Sequence, residues 1–398
     1  MKKPSTPHQL IVIAGGGMAG LLLALLLRQR GTHPVVLVEP MAMTLAEGPM
    51  SPSFDARSTA LSAGTLDIFA SLGLLETLSE HAASILTVDV SRKGRLGVTR
   101  MHAEEEGVPV LGAVVENRWL GHTLLKAVLA DEGIEIKAPH RVESVQRLPE
   151  GYGVTLDNAE YLEASLLVAA DGADSQLRTA LGISAQHEDT NTAALVANVE
   201  VLAEHHGCAW ERFLPTGPLA LLPLSEQRLA LIWMGPTEFI DALMALSDEA
   251  LAELIVAEVG EDRLPPLGKV GGRITHPLVA TKALAQAVPY AVVVGNAAHT
   301  VHPVGGQGFN LTARDVEQLA ALVADAEAPG AFSLLQRYVE GREKDQAMIR
   351  QATKWLPDMF RVEFGPFAHT RQLGLVALDL WPGLRTAFAQ RAMGVRRV

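Results

Sequence analysis

Cysteine is almost missing from this chain. Cys208 stands alone among 398 residues, which excludes an intramolecular disulfide and fits a reducing compartment. Basic clusters are as scarce. There are 33 Lys and Arg against 45 Asp and Glu, a formal charge of −12, and the one cluster is Arg396-Arg397 at the C-terminus. Nucleic acid, whose phosphates need clustered cations, is therefore excluded as a partner. Long apolar runs are also absent: the unbroken segment Leu21–Leu27 is too short to span a bilayer. The start "MKKPSTPHQLIVIAGGGMAG" is basic and then apolar, yet three glycines split it and no small-residue cleavage site follows Leu27. It reads as neither secretory signal nor membrane anchor. Missing too are a GxxxxGK[ST] phosphate loop, a GxSxG nucleophile elbow, an internal repeat, a low-complexity linker and a second Gly-x-Gly-x-x-Gly after a strand.

What is present is an ordinary folded composition, 48% hydrophobic and 20% charged, long enough for two or three domains. Residues 10–39 read as strand, glycine turn, helix, strand: "LIVIA", then "MAGLLLALLLRQR" ended by Gly31, then "PVVLVE". Continuous apolar strands joined by a helix indicate a parallel sheet covered on both faces. Helical patterns follow at 61–80 and 118–132, and "SLLVAADG" and "YAVVVGN" are two further buried strands that stop at an acid or amide beside glycine. Residues 184–280, with "ERFLPTGPLALLPLSEQRLALIW", read as antiparallel sheet inserted into the first domain. From about 311 onward the chain looks helical. The expected fold is mixed α/β: a Rossmann-like nucleotide domain from 1–85, 107–183 and 281–345, an antiparallel β-sheet domain from 86–106 and 184–280, and a helical C-terminal region, 346–398.

Three motifs carry the chemistry. "AGGGMAG" contains Gly15-x-Gly17-x-x-Gly20 between a strand and a helix, with Met18 and Ala19 in the first helical turn. The first glycine permits the turn, the second lets a pyrophosphate approach, and the third lets helix and strand pack closely. Free N–H groups and the helix dipole then favour phosphate. Glu39, closing the second strand, suits the hydroxyls of an adenosine ribose. This pattern does not separate FAD from NAD. Asp171-Gly172 ends another strand with Ser175 and Arg178 following, an arrangement that a simple helix cap also explains. "GNAAHTVHPVGGQGFN" (295–310) packs glycines behind a strand and ahead of a helix, a second anion-binding helix start.

Taken in this order, Gly15-x-Gly17-x-x-Gly20, Asp171-Gly172, and Gly295-Asn296 with Pro303 and Gly306-Gln307-Gly308-x-Asn310 resemble the FAD-dependent aromatic hydroxylases typified by para-hydroxybenzoate hydroxylase. "FDARSTALS" (54–62), "ENRWLGHTLL" (116–125), "ERFLPTGPLALLPL" (211–224) and "RQLGLVALDLWPGLRTAFAQRAMG" (371–394) are similar to the ubiquinone-biosynthesis branch. Asn296 stands where that branch usually has Asp, and this form resembles the 2-octaprenyl-6-methoxyphenol hydroxylases. An amide keeps an oxygen acceptor for a ribityl hydroxyl and removes one negative charge near the diphosphate. The five scattered tryptophans lack the paired-tryptophan signature of flavin halogenases.

The resemblance implies FAD as cofactor, NAD(P)H as electron donor and O2 as co-substrate. It also implies an oxygen atom delivered to the ring of a polyprenylated phenol, with flavin C4a rather than a side chain carrying the chemistry. It places Arg57 and Arg118 on the flavin, and His302 and Pro303 beside the flavin or phenol pocket. His299 and His302 ("HTVH") lack the further ligands a zinc site needs, so no metal is expected. Each prenyl unit favours burial by roughly 3–4 kcal/mol. The substrate therefore calls for an apolar channel, a peripheral contact with the inner membrane, or a carrier among other ubiquinone-biosynthesis proteins. "PLALLPL…LALIW" and the tail around 373–384 are the candidate surfaces on a protein expected in the cytoplasm.

Overall fold

The computed structural model describes residues 9–45, 57–92, 98–301 and 306–361. Among these, a six-stranded sheet runs in the order β19 (Ala287–Val288), β20 (Ala291–Val293), β12 (Leu166–Ala169), β1 (Ile11–Ala14), β2 (Val35–Val38) and β8 (Ile134–Lys137). All neighbours are parallel except the β19–β20 hairpin. Strands β1, β2, β12 and β20 are buried at every residue, as a sheet covered on both faces requires. One face lies under α1 (Met18–Arg30), α4 (Asn117–Ala130) and α8 (Gln307–Val323). Every residue of α1 from Gly20 to Leu27 is buried; an all-round apolar helix belongs in a core, not on a surface. The other face carries a three-stranded antiparallel sheet, β11 (Tyr161–Ala164), β10 (Gly151–Leu156) and β9 (Val142–Leu148).

The second large sheet has eight strands. Its order is β17 (Leu267–Val270), β13 (Ala185–Val201), β16 (Arg228–Pro236), β15 (Gly217–Leu224), β14 (Cys208–Leu214), β5 (Thr87–Arg92) and β6 (Val98–His102), with β18 (Ile274–Ala283) also on β13. Its outer face packs on α6 (Thr237–Met244) and α7 (Asp248–Val259) through Leu195, Leu219, Leu221, Leu231 and Trp233. The inner face meets a small sheet, β3 (Ser58–Ser62), β7 (Gly112–Glu116) and β4 (Ala82–Ile85). The remaining helices are α2 (Ala63–Ser71), α3 (Leu75–Ser79), α5 (Gln176–Ala180) and α9 (Phe332–Arg361), the last crossing β14 and β15. No helix among the described residues is long and apolar enough to cross a membrane.

Three local expectations are corrected. The pattern at 61–80 is not one helix: Ser58–Ser62 is a strand, and the helical part breaks at Gly73, whose φ of +71° an ordinary helix cannot continue through. The inserted sheet is not wholly antiparallel, because β14 pairs with β5 in parallel, and it carries α6 and α7. Finally, "PLALLPL" and "LALIW" are not open surface. Leu219, Leu221, Leu229 and Leu231 are core, while Leu222 and Ile232 sit half-buried on the inner face. The tail at 373–384 lies outside the described residues.

Candidate cofactor and substrate site

The parallel sheet sets the site. Ala14 registers with Ala169 and with Val38, and Ala169 registers with Val293, so four neighbouring strands end level. Each strand end leads directly into a predicted site residue: Gly15, Glu39, Asp171 after Ala170, and Gly295 after Val294. Backbone bonds carry the ladder one step beyond the strands, Gly15 N–H to Val38 O at 2.8 Å, Ala170 N–H to Ala14 O at 2.7 Å and Val294 N–H to Ala169 O at 2.9 Å.

The three glycines of the first motif have distinguishable causes. Gly15 has φ +113°, and a Cβ there would lie 2.3 Å from Ala170 O. A Cβ on Gly20 would lie 2.0 Å from Gly15 O. Gly17 is different: its φ −70° and ψ 178° suit any residue. The backbone conformation does not require a glycine there, which is consistent with a ligand approaching this turn. Helix α1 begins at Met18 with no side-chain cap and no acid in its first turn. The N–H groups of Met18, Ala19 and Gly20 therefore point out unpaired by the helix, as a diphosphate would need.

Glu39 is buried and rigidly held, its Oε2 accepting from Gly16 N–H at 2.6 Å and its Oε1 from Met41 N–H at 3.1 Å. Asp171 caps α5: its carboxylate accepts from Ser175 Oγ–H and from Leu177 N–H. The cap reading of this motif is thus realised, with Gly172 at φ +91° beside open space.

Arg178 is the residue whose role the sequence does not disclose. It is buried, and its Nη1 donates to Ala173 O at 3.0 Å and to Ala297 O at 2.8 Å. This ties the second motif to the third. Gly295 in turn lies against α1, where a Cβ would come within 3.0 Å of the Ala19 side chain. With Gly15 pressed on Ala170, all three motifs touch pairwise.

The third motif ends in α8, which also starts without a side-chain cap or an acid in its first turn, from Gly306 at φ +62°. Like α1, it leaves the backbone N–H groups of its first turn without acceptors inside the helix. Asn310 turns inward. Its Oδ1 accepts from Ser62 N–H and Thr65 Oγ1–H, both at 2.8 Å, and its Nδ2 donates to Ala60 O and Gly306 O, both at 2.8 Å. Those four bonds use the amide's full capacity, so the side chain braces α8 against β3 and α2. Asn296 is exposed at the strand exit. Asn296→Asp is expected to keep FAD bound at one per chain, measured by absorbance after gel filtration; complete loss of flavin would contradict the place given to this side chain.

Arg57 precedes β3, its carbonyl accepting from Asn117 N–H at 2.7 Å. Arg118 bonds Glu116 Oε2 at 2.9 Å and lies over the Trp119 ring. Glu116 is buried and also receives Arg228 Nη1 at 3.4 Å, joining the small sheet to the eight-stranded one. His299 is buried, and its Nε2 meets the buried Asp315 carboxylate at 2.7 Å. His302 and Pro303 lie outside the described residues.

Two uncapped, acid-free helix starts beside one anchored carboxylate fit a dinucleotide, and comparison with known proteins gives the same group. Residues 9–353 match the family model described as FAD binding domain. The chain is 32% identical to ubiquinone hydroxylase UbiL of Rhodospirillum rubrum, over 98% of this chain and 90% of that protein. It is 28% identical to 3-demethoxyubiquinol 3-hydroxylase of Escherichia coli, over 97% and 98% respectively. Among solved structures, p-nitrophenol 4-monooxygenase PnpA from Pseudomonas putida superposes with a TM-score of 0.76 at 19% identity, over 98% of both chains.

Proposed function

Because the chain belongs to the FAD binding domain family, we propose that it is an FAD-dependent monooxygenase that hydroxylates the ring of a polyprenylated phenol in ubiquinone biosynthesis. The single observation that carries this reading is the pairwise contact of three distant motifs at the ends of adjacent parallel strands. The similarity to ubiquinone hydroxylases from two bacteria supports the substrate class. Asn296 favours 2-polyprenyl-6-methoxyphenol, converted to its benzoquinol.

The chain's residues divide the work. The N–H groups after Gly17 and Gly306 hold the diphosphate, and Glu39 receives the adenosine ribose hydroxyls. Asp171, Gly172, Gly295 and Asn296 border the ribityl chain and ring, and Arg57 and Arg118 sit at the flavin edge. When bound, FAD supplies the redox equivalents from NAD(P)H and the activation of O2. The protein contributes orientation of the phenol and exclusion of water, and the half-buried Leu222 and Ile232 on the inner sheet face supply an apolar wall for it. A prenyl tail of this kind calls for an apolar channel, peripheral contact with a membrane or handover from another protein of the pathway.

Deleting the gene in its host tests the assignment. Accumulation of 2-polyprenyl-6-methoxyphenol is expected, and an unchanged quinone pool would reject it. In vitro, NAD(P)H consumption should depend on both O2 and phenol and yield hydroxylated product. Turnover of small soluble phenols with no response to prenylated ones would move the protein to the hydroxylases of small aromatics.

A further inference from the structure

The inner face of the eight-stranded sheet is apolar at its centre except at one residue. Alternation along β14 sends Ala209, Glu211 and Phe213 to this face, while Cys208, Trp210 and Arg212 turn outward to α7. Across the ladder Glu211 is flanked by Val90 on β5 and Ala220 on β15, with Ile232 of β16 beyond. Its Oε1 is closed off from solvent and has no hydrogen-bond partner among the described residues. Glu211 as a whole is half-buried, but one carboxylate oxygen left unpartnered among aliphatic side chains is unfavourable, and a ligand's polar group would relieve it.

This face looks toward the cofactor side. Ala209 and Ala230 cluster with Val114, Ile85 and, at the margin, Ala60. Ala60 is also the wall of the third motif: a Cβ on Gly306 would stand 3.0 Å from its side chain, and its carbonyl accepts from Asn310. Ala60 thus borders both the start of α8 and the apolar cluster that holds inner-face residues of the sheet carrying Glu211.

We propose that Glu211 is a catalytic residue that binds the aromatic hydroxyl of the substrate and takes its proton. The proposal rests on the ring-hydroxylation reading above. The O–H bond of the phenol breaks, the proton bonds Glu211 Oε1, and the electron pair stays on the substrate oxygen, enriching the ring that is to be attacked. The proton returns to that oxygen in the product, so the carboxyl ends each cycle unchanged.

Acid strengths suit this exchange. Burial pushes the Glu211 carboxyl up to about 8 from an ordinary 4.5. A phenol near 10 then lies about 2 units away, which makes the transfer far less uphill than to an exposed glutamate. Among the described residues, the other ionisable side chains that register places on this face are Arg92, Glu188, Glu200, Arg228, His276 and Lys282. Arg228 is held by Glu116, and Glu200 accepts from Lys269 N–H. Arg92 and His276 have interactions of their own. From the cofactor side the facing acid is Glu116, already paired with Arg118.

The test uses the FAD-loaded protein and two probes, a short-chain 2-alkyl-6-methoxyphenol and its methyl ether, each titrated against flavin absorbance. Wild-type protein is expected to bind the phenol about tenfold more tightly than the ether, the worth of one buried hydrogen bond. Glu211→Leu should bring that ratio to about one with FAD still bound. The wild type is expected to show a rise of kcat/KM through about pH 8, and Glu211→Gln, the closer match in shape, should abolish it. Discrimination in Glu211→Leu equal to wild type, or an unaltered pH profile in Glu211→Gln, would overturn the proposal while leaving the hydroxylase reading intact. Wild-type protein that binds neither probe would overturn both.

Discussion

Gly17→Val is expected to yield a folded, colourless protein. The backbone at Gly17, φ −70° and ψ 178°, accepts a valine without strain, so far-UV circular dichroism should match the wild type. The isopropyl group would occupy the approach to the first turn of α1 and separate a diphosphate from the N–H donors there. Losing two charge-assisted hydrogen bonds at about 1.5–3 kcal/mol each lowers FAD affinity by roughly a hundredfold to ten-thousandfold. Flavin content after gel filtration should then fall below about a tenth of a mole per mole of chain. Gly20→Ala makes the contrast. Its Cβ would sit 2.0 Å from Gly15 O, so this change should damage the strand–helix packing itself. Stoichiometric FAD in Gly17→Val would refute the role assigned to the second glycine.

The largest effect on stability is expected at Asp315. Its two oxygens receive His299 at 2.7 Å, Arg342 Nε at 2.5 Å and Gln346 Nε2 at 3.1 Å, and none of Asp315, His299 and Arg342 is more than 3% exposed. Arg342 also reaches Asp345, which Arg314 Nε bonds at 2.9 Å. Nearby, burial and the Asp315 charge hold the Tyr338 hydroxyl well above its ordinary range. Removing one member of a buried pair strands the other charge, at a cost of about 3–5 kcal/mol. Asp315→Ala should therefore shift the denaturant midpoint strongly, and the paired change Asp315→Leu with Arg342→Leu should cost less than the single one. A loss below about 1 kcal/mol in the single variant would contradict this account. His299 N–H bonds Gly295 O at 3.0 Å, so loosening the network should also weaken flavin retention.

The sequence disclosed what is local. Helix α1 was readable to its ends because Gly17 and Gly31 bracket an apolar run, and the level strand ends because β12 and β20 stop at glycine with an acid or amide, β1 at glycine and β2 at an acid. What stayed hidden depends on distant pairing. Arg178 reaches Ala297 across 119 positions, and no spacing rule connects them. Glu211 looks like any strand glutamate until its register with Val90 and Ala220 fixes the face it occupies. That register involves a parallel pairing with residues 87–92, a segment expected in the same domain but in an antiparallel sheet. Asn310 shows the converse: its place in a cofactor motif suggested a ligand contact, whereas its side chain is spent bracing three elements.

The path of the chain has a practical consequence. It enters the eight-stranded sheet at β5, leaves after β6, returns for β13 to β18 and leaves again. No continuous stretch of the gene encodes either half, so neither can be excised and expressed as a self-sufficient fragment. Truncation libraries should yield insoluble products. A split-protein design would have to cut at a surface turn and let both pieces reassemble.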